Sequence, residues 1–358
     1  MSKGDTMKAE KLIQIEEIEE ETFADPTLDV SFKMLFGQSK NKDILISLLN
    51  SLLNFHGKDI IVDVEISPNE LTVSNISNKK EDMGISSAVD ILCTNLGKQQ
   101  IAIEIQGQKQ KYFLTREQEY MAKLISGQVK EGEGKLYHEK VLDTYIIVIA
   151  KKNMFVGNTA LSDHKLFEID VEPRIVQTGE KYPGNKMHWK FYELEKFKES
   201  NQYAKIKEYD KLDKDSEEKL IKEKFKWLKD NLKEQWLEFL IECNSQKEIP
   251  DRNELIKKGY NIMKLATWDP KDQALYWKQK QAEIDFIKQK EYDKNEAEKF
   301  GFIKAEVQKY KDFKDLGLKK EMYVNKFKYL QEKNFSYIDD HIDETNTQIM
   351  GEMDIEMD

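Results

Sequence analysis

The chain has 358 residues, 39% of them hydrophobic and 35% charged, with a formal net charge of −10. That leaves room for one large domain or two ordinary ones, while only six prolines and sixteen glycines exclude a collagen-like, elastic or linker-dominated chain. Cys93 and Cys243 cannot build a disulfide framework, and the longest apolar run, Tyr145 to Ala150, is far short of the about 20 residues that cross a bilayer.

The first segment, Met1 to Glu21, is polar and then acidic, unlike a secretory leader. A protein without membrane segments is expected, in a reducing, intracellular compartment (cytoplasmic, or nuclear in a eukaryote). Nucleic-acid binders are usually basic, so the acidic balance argues against tight, sequence-independent DNA binding. Much of the acid, however, lies at the ends. The tail from Ser336 to Asp358 carries acidic residues and no Lys or Arg, and global charge says little about a local groove.

After an acidic leader (1–24), apolar spacing predicts a mainly helical stretch from Ser31 to Phe55, capped by Asp29 or Ser31 and ended by His56-Gly57. Ile60 to Ile66 alternates and is β-branched, the mark of a strand, and Pro68-Asn69 breaks it. Asn75 to Ser87 is polar, a loop or a distorted strand. Ser87 to Thr94 and Gln100 to Gln106 are two more strands, and a helix follows from Thr115 to Glu131, stopped by Gly132. Val141 to Ala150 suits a strand buried on both faces. Phe167–Val171 and Trp189–Leu194 add strands. Past Lys205 the chain turns to Lys/Glu-rich helices. Apolar stripes run through Phe225, Leu228, Leu232, Trp236, Phe239 and Leu240, and through Leu255, Ile256, Tyr260 and Met263. Asp269-Pro270 is a helix start, and Leu275 to Tyr310 could form one long charged helix. The order α-β-β-β-α-β is an α/β plan, a mixed sheet flanked by helices, with a mostly helical C-terminal region behind it.

The chemistry concentrates in the hairpin Ala88-Val89-Asp90-Ile91-Leu92-Cys93-Thr94 and Ile101-Ala102-Ile103-Glu104-Ile105-Gln106. Strand side chains alternate faces, so Asp90 is set apart from Val89, Ile91 and Cys93, and Glu104 from Ile101, Ile103 and Ile105. A two-residue loop at Leu96-Gly97 would place Asp90 opposite Ile103 and mix the faces. An odd-length loop containing Gly97 places Asp90 opposite Glu104 or diagonal to it, within about 8 Å. Two acids facing each other on apolar strands repel and resist burial. A divalent cation removes both penalties, and Mg²⁺ or Mn²⁺ suits the oxygen donors. The rival reading is a wet hairpin face with solvated acids.

Taken together, these stretches resemble the PD-(D/E)XK nuclease superfamily, and within it the transposase-associated, recombination-promoting branch. Asp29-x-x-Phe32-Lys33-x-x-Phe36 with Leu48-Leu49-Asn50 resembles the opening helix. Val89-Asp90-Ile91 with Ile103-Glu104-Ile105-Gln106 resembles the active-site hairpin. Arg116-x-x-x-Tyr120, Tyr145 to Ile149, and Phe191 to Phe197 are similar to the elements that follow. The resemblance covers Asp25 to Lys198 well and Lys205 to Lys314 loosely. It implies a restriction-endonuclease-like nuclease domain (25–204), followed by helices (205–335) and an acidic tail (336–358).

The resemblance also implies a Mg²⁺-dependent endonuclease on double-stranded DNA, with Asp90, Glu104 and the backbone carbonyl of Ile105 as metal ligands. Gln106 stands where the superfamily usually has Lys. It can orient water but carries no positive charge, so transition-state charge falls to Lys33 and Arg116, ahead of Lys80 and Lys109. Asp29 or Glu65 are candidates for a third carboxylate, and Tyr120 for the site wall. Two alternatives stay open: a weakened relative that binds DNA or a partner protein without cutting, and a non-enzymatic protein whose C-terminal helices form a homo-oligomer. The five histidines have no ligand spacing, which argues against zinc.

Overall fold

The computed structural model describes residues 21–68, 70–71, 87–108, 111–128, 139, 141–155, 166–212 and 218–315. Its strands are β1 (Val64–Ser67), β2 (Glu70–Leu71), β3 (Ser87–Ala88), β4 (Ile91–Asn95), β5 (Gln100–Gln106), β6 (Thr144–Ala150), β7 (Glu168–Val171) and β8 (Met187–Glu193). Six of them form one mixed sheet in the order β1-β4-β5-β6-β8-β7. Neighbours β1, β4 and β5 are antiparallel, β5-β6 and β6-β8 are parallel, and β7 closes the far edge antiparallel to β8. The acid-bearing hairpin β4-β5 therefore lies inside the sheet.

The helices are α1 (Asp29–Phe36), α2 (Lys42–Leu53), α3 (Phe113–Gly127), α4 (Leu194–Lys198), α5 (Asn201–Asp210), α6 (Glu218–Asp230), α7 (Leu232–Glu242), α8 (Glu254–Met263) and α9 (Pro270–Asp315). Two cores cover the two faces of the sheet. Ile91, Cys93, Ile101, Ile103, Ile147 and Ile149 meet Phe32, Leu35, Phe36, Leu48 and Leu52 of α1 and α2 on one side. On the other, Ala102, Ile146, Val148 and Ala150 meet Phe113, Tyr120, Met121 and Leu124 of α3. Each such large side chain contributes about 1.5–3 kcal/mol when fully buried. This two-sided cover explains why β6 is apolar along nearly its whole length.

Several predicted elements are subdivided. The helical stretch expected over Ser31–Phe55 is two helices. The Gly37 amide donates to the Lys33 carbonyl at 2.9 Å, and a Cβ on Gly37 would stand 2.8 Å from that same oxygen, so glycine is what lets α1 end there. Helix α2 stops earlier than His56-Gly57, at Asn54, whose φ of 56° is left-handed. Neither Asp29 nor Ser31 caps α1. Leu28 occupies that position without a side-chain bond, and Asp29 instead pairs with Lys33 at 2.6 Å.

The strand expected from Ile60 begins only at Val64. Before it, Asn50 holds the backbone of Ile61 by two 2.8 Å bonds, one to its N–H and one to its carbonyl, in place of a strand ladder. The strand expected over Ser87–Thr94 is interrupted at Val89 and Asp90, and Ser87–Ala88 pairs with β2 as a separate ribbon. Apart from Ser87, the polar stretch Asn75–Ser87 falls outside the described residues. So do the leader before Glu21, Lys80, Lys109, Gly132 and the acidic tail.

Helices α5 to α8 pack into the first core through Ile206, Tyr209, Leu228, Trp236, Phe239, Tyr260 and Met263. Trp236 stands edge-on to Phe36, with ring centres 5.7 Å apart, and its indole N–H donates to Ser47 at 3.0 Å. The predicted caps at Asp269-Pro270 hold: Asp269 Oδ1 accepts from the Lys271 and Asp272 amides, both at 2.9 Å. The chain divides into a compact unit, Met1–Gln279, and a second, Lys280–Asp358, whose described part is the remainder of α9. Among the described residues no helix is long and apolar enough to cross a membrane.

Candidate active site

The β4-β5 turn decides whether the acids meet. Its loop is Leu96-Gly97-Lys98, closed by the Lys98 amide on the Asn95 carbonyl at 2.9 Å. The left-handed residue is Lys98 (φ 63°) rather than Gly97, and Asn95 braces the turn by bonding Gln99 through both ends of its amide. The odd loop sets Ile91 opposite Ile103, where the ladder ends, and so brings Asp90 beside the Glu104–Ile105 stretch of β5.

The two acids are tied through the backbone. The Ile105 amide donates to Asp90 Oδ2 at 2.7 Å, and the Asp90 amide donates to the Glu104 carboxylate. The break in strand pairing at Asp90 is what leaves its side chain free to take the Ile105 amide. Ile105 thus spends its N–H on the site. In a strand the N–H and C=O of one residue address the same neighbour, so its carbonyl faces the Asp90 side as well.

Glu104 and Gln106 share the sheet face covered by α3, and each is 5% exposed. Sequence reasoning missed a further acid there. Glu117 on α3 is 1% exposed, between Phe113 and Tyr120. Its signal was a lone acid inside the stripe Phe113, Tyr120, Met121, Leu124, at core rather than surface spacing. Glu104 Oε1 and both Glu117 oxygens are buried without a hydrogen-bond partner among the described residues.

Burial among apolar side chains pushes all three carboxyls up. For Asp90, desolvation and the Asp29 carboxyl raise the pKa, while the Ile105 amide and Lys33 oppose. For Glu104, desolvation leads, reinforced by the charges of Asp90 and Glu117 and opposed by Arg116. For Glu117 desolvation outweighs the pull of Arg116 and lifts it to about 8. Such a cluster stores an unmet demand for positive charge.

The other predicted residues divide. Asp29 and Lys33 both act on Asp90, with the Asp29 carboxyl in hydrogen-bonding reach of it, so the matched motif of α1 does reach the site. Arg116 Nη2 donates to Gln106 Oε1 at 3.2 Å, and its guanidinium lies over the Phe113 and Tyr120 rings, 5.1 and 5.7 Å from their centres. The Gln106 amide also donates to the Gln108 carbonyl. Tyr120 is buried beneath this arrangement as core. Glu65 is not brought in: it is exposed, opposite Thr94 at the far end of β4 from Asp90. His188 is structural, stacked on Tyr145 and bonded to Asp143.

A family model described as PD-(D/E)XK nuclease family transposase matches residues 26–293. The chain belongs to that family. No curated protein and no solved structure matches it. The matched span of this PD-(D/E)XK nuclease family transposase takes in the whole sheet and helices α1 to α8, so the helices after Lys205 are part of the family's own architecture.

A divalent cation is the cofactor such a nuclease calls for, and the donor set can be tested against it. Among the described residues no group of three or more His, Cys, Asp or Glu side chains is arranged to hold a metal ion. Two carboxylates that act on one another, one with an oxygen unbonded among the described residues, beside a backbone carbonyl on the same side, nevertheless fit a hard cation that keeps several of its waters. Mg²⁺ characteristically binds through one or two carboxylates. The residues present fit.

Proposed function

We propose that this nuclease-family protein is a Mg²⁺-dependent endonuclease, with Mn²⁺ as a substitute, that hydrolyses phosphodiester bonds of double-stranded DNA at Asp90 and Glu104. The observation that supports this best is Glu104 Oε1, a buried ionisable oxygen that has no hydrogen-bond partner among the described residues and lies in a carboxylate on which the charge of Asp90 acts. When bound, the cation would lower the pKa of a water and offset charge on the scissile phosphate.

The chain's own residues would do the rest. Asp90 and Glu104, with the Ile105 carbonyl, would hold the cation. The Ile105 amide fixes the Asp90 carboxylate, and the Asp90 amide fixes that of Glu104, so neither has to be ordered when substrate arrives. Arg116, steadied by Gln106 and two aromatic rings, is the candidate for developing charge on phosphate oxygens, with Lys33 at the Asp90 end. Gln106, engaged at both ends of its amide, serves here to orient Arg116 rather than a water.

That last feature favours a second reading, a protein that binds DNA without cutting it, since no lysine stands where Gln106 does. Plasmid cleavage separates the two. Wild type with Mg²⁺ or Mn²⁺ is expected to nick or linearise plasmid, to stop with EDTA, and to lose roughly a thousandfold in rate as Asp90→Ala, given the several kcal/mol that such a cation contributes. Binding without cleavage, indifferent to Asp90→Ala, would establish the second reading instead.

A further inference from the structure

Glu117 is unused by the chemistry above, yet it is only 1% exposed on the face of the sheet covered by α3. It comes from α3, a different element from the two strands that carry Asp90 and Glu104. Its side chain is buried between Phe113 and Tyr120, and neither of its oxygens has a hydrogen-bond partner among the described residues. An ionised or neutral carboxyl in that position costs free energy unless something meets it. An apolar residue would fill the same place in the Phe113–Leu124 stripe without that cost, so the acid calls for a hydrogen-bond partner that the described residues do not supply.

Glu117 is also electrostatically linked to the pair below it, since its charge acts on Glu104, and that of Asp90 acts on it. A direct ligand role is disfavoured, because the described acids do not form a set of three that could hold one ion. What remains is contact through water. Resting on the cation site proposed for Asp90 and Glu104, we infer that Glu117 is a positioning residue: its two oxygens accept hydrogen bonds from water held at that site, on the side of the sheet covered by α3. Outer carboxylates of this kind fix the orientation of what lies between them and the ligands, and their loss typically weakens metal binding about 10–100-fold. The role makes α3 part of the site, and it places the ordered water over Glu104 rather than at the Lys33 end.

The test is Mn²⁺ binding to the full chain, read from the loss of the free-ion electron paramagnetic resonance signal, together with thermal unfolding in EDTA. Wild type should take up Mn²⁺, and Asp90→Asn should not. Glu117→Gln should bind about 10–100-fold more weakly. Glu117→Leu should do the same while melting at a higher temperature than wild type in EDTA, a gain that damage to the fold would not produce. If Glu117→Gln and Glu117→Leu bind Mn²⁺ as wild type does, while Asp90→Asn fails to, the role of Glu117 is wrong and the cation site stands. If wild type itself takes up no Mn²⁺, the site and the inference fall together.

Discussion

Two of the regions that bury carboxylates in this protein do it in opposite ways. On α7, Glu238 is wholly inaccessible, and the equally buried Arg252 meets it at 3.2 Å, with Lys207 at 3.5 Å. Arg252 also reaches Asp210 at 2.8 Å. On the α3 face of the sheet, Glu104 and Glu117 are buried nearly as deeply, but Glu104 Oε1 and both oxygens of Glu117 are left unbonded. Taking a charge out of water is costly everywhere. In the helical layer the chain supplies its own counter-charge. At the hairpin the charges of Arg116 and Lys33 act on the acids, yet Glu104 Oε1 and both Glu117 oxygens accept no hydrogen bond among the described residues, which leaves part of that demand open, as a site for a dissolved cation requires.

The contrast can be broken by mutation. Arg252→Leu would strand Glu238, and the loss should be the largest here, about 3–5 kcal/mol in denaturant unfolding. Glu104→Leu, measured the same way in EDTA, should cost nothing and raise stability by about 1–3 kcal/mol, because it removes an unsatisfied group. Equal losses in the two variants would erase the distinction between the regions.

A gentler effect is expected from pH. The carboxyl of Glu117 is raised from its ordinary 4.5 to about 8, and Asp90 and Glu104 are raised by the same burial. A group with a raised folded-state value holds its proton in the folded chain after the unfolded chain has lost it. Its contribution is complete below the ordinary carboxylate range and is lost as pH rises. Cation-free melting temperature should therefore fall between about pH 5 and about pH 9. Mn²⁺ affinity should rise over the same interval, since ligation requires the deprotonated acids. A flat profile in EDTA would mean that these carboxyls are solvated.

The smallest effect concerns the turn that sets the register. Lys98→Gly should relieve a left-handed residue and stabilise by about 1 kcal/mol, with cleavage unchanged. A loss of cleavage there would point to Lys98 touching substrate.

Much of this was legible in the chain, and the exceptions are physical. Alternation in Ile91–Cys93 and Ile101–Gln106 points Asp90 and Glu104 to one face, because period-2 geometry leaves few choices once the loop is odd; Val89, expected beside Ile91 and Cys93, packs instead with Ala102 in the α3-side core, since the strand breaks at Val89 and Asp90. The rest needed three dimensions. The strand break at Asp90 depends on the Ile105 amide choosing a side chain over the ladder. The end of α1 at Gly37 depends on a 2.8 Å approach to the Lys33 carbonyl, which no propensity encodes. The segment before β1 is β-branched, yet Asn50 rather than a neighbouring strand takes its hydrogen bonds. Glu117 is an acid inside an apolar stripe, but with 35% of the chain charged that spacing alone does not separate a buried acid from a solvated one.

The account rests on two acids from adjacent strands sharing one cation, and the most direct measurement is anomalous diffraction from crystals grown with Mn²⁺. A single strong peak between the Asp90 and Glu104 carboxylates, on the Ile105 carbonyl side and absent in Asp90→Asn crystals, is the predicted result. Mn²⁺ bound elsewhere, or crystals in which Glu104 Oε1 meets a protein donor and no ion, would contradict it.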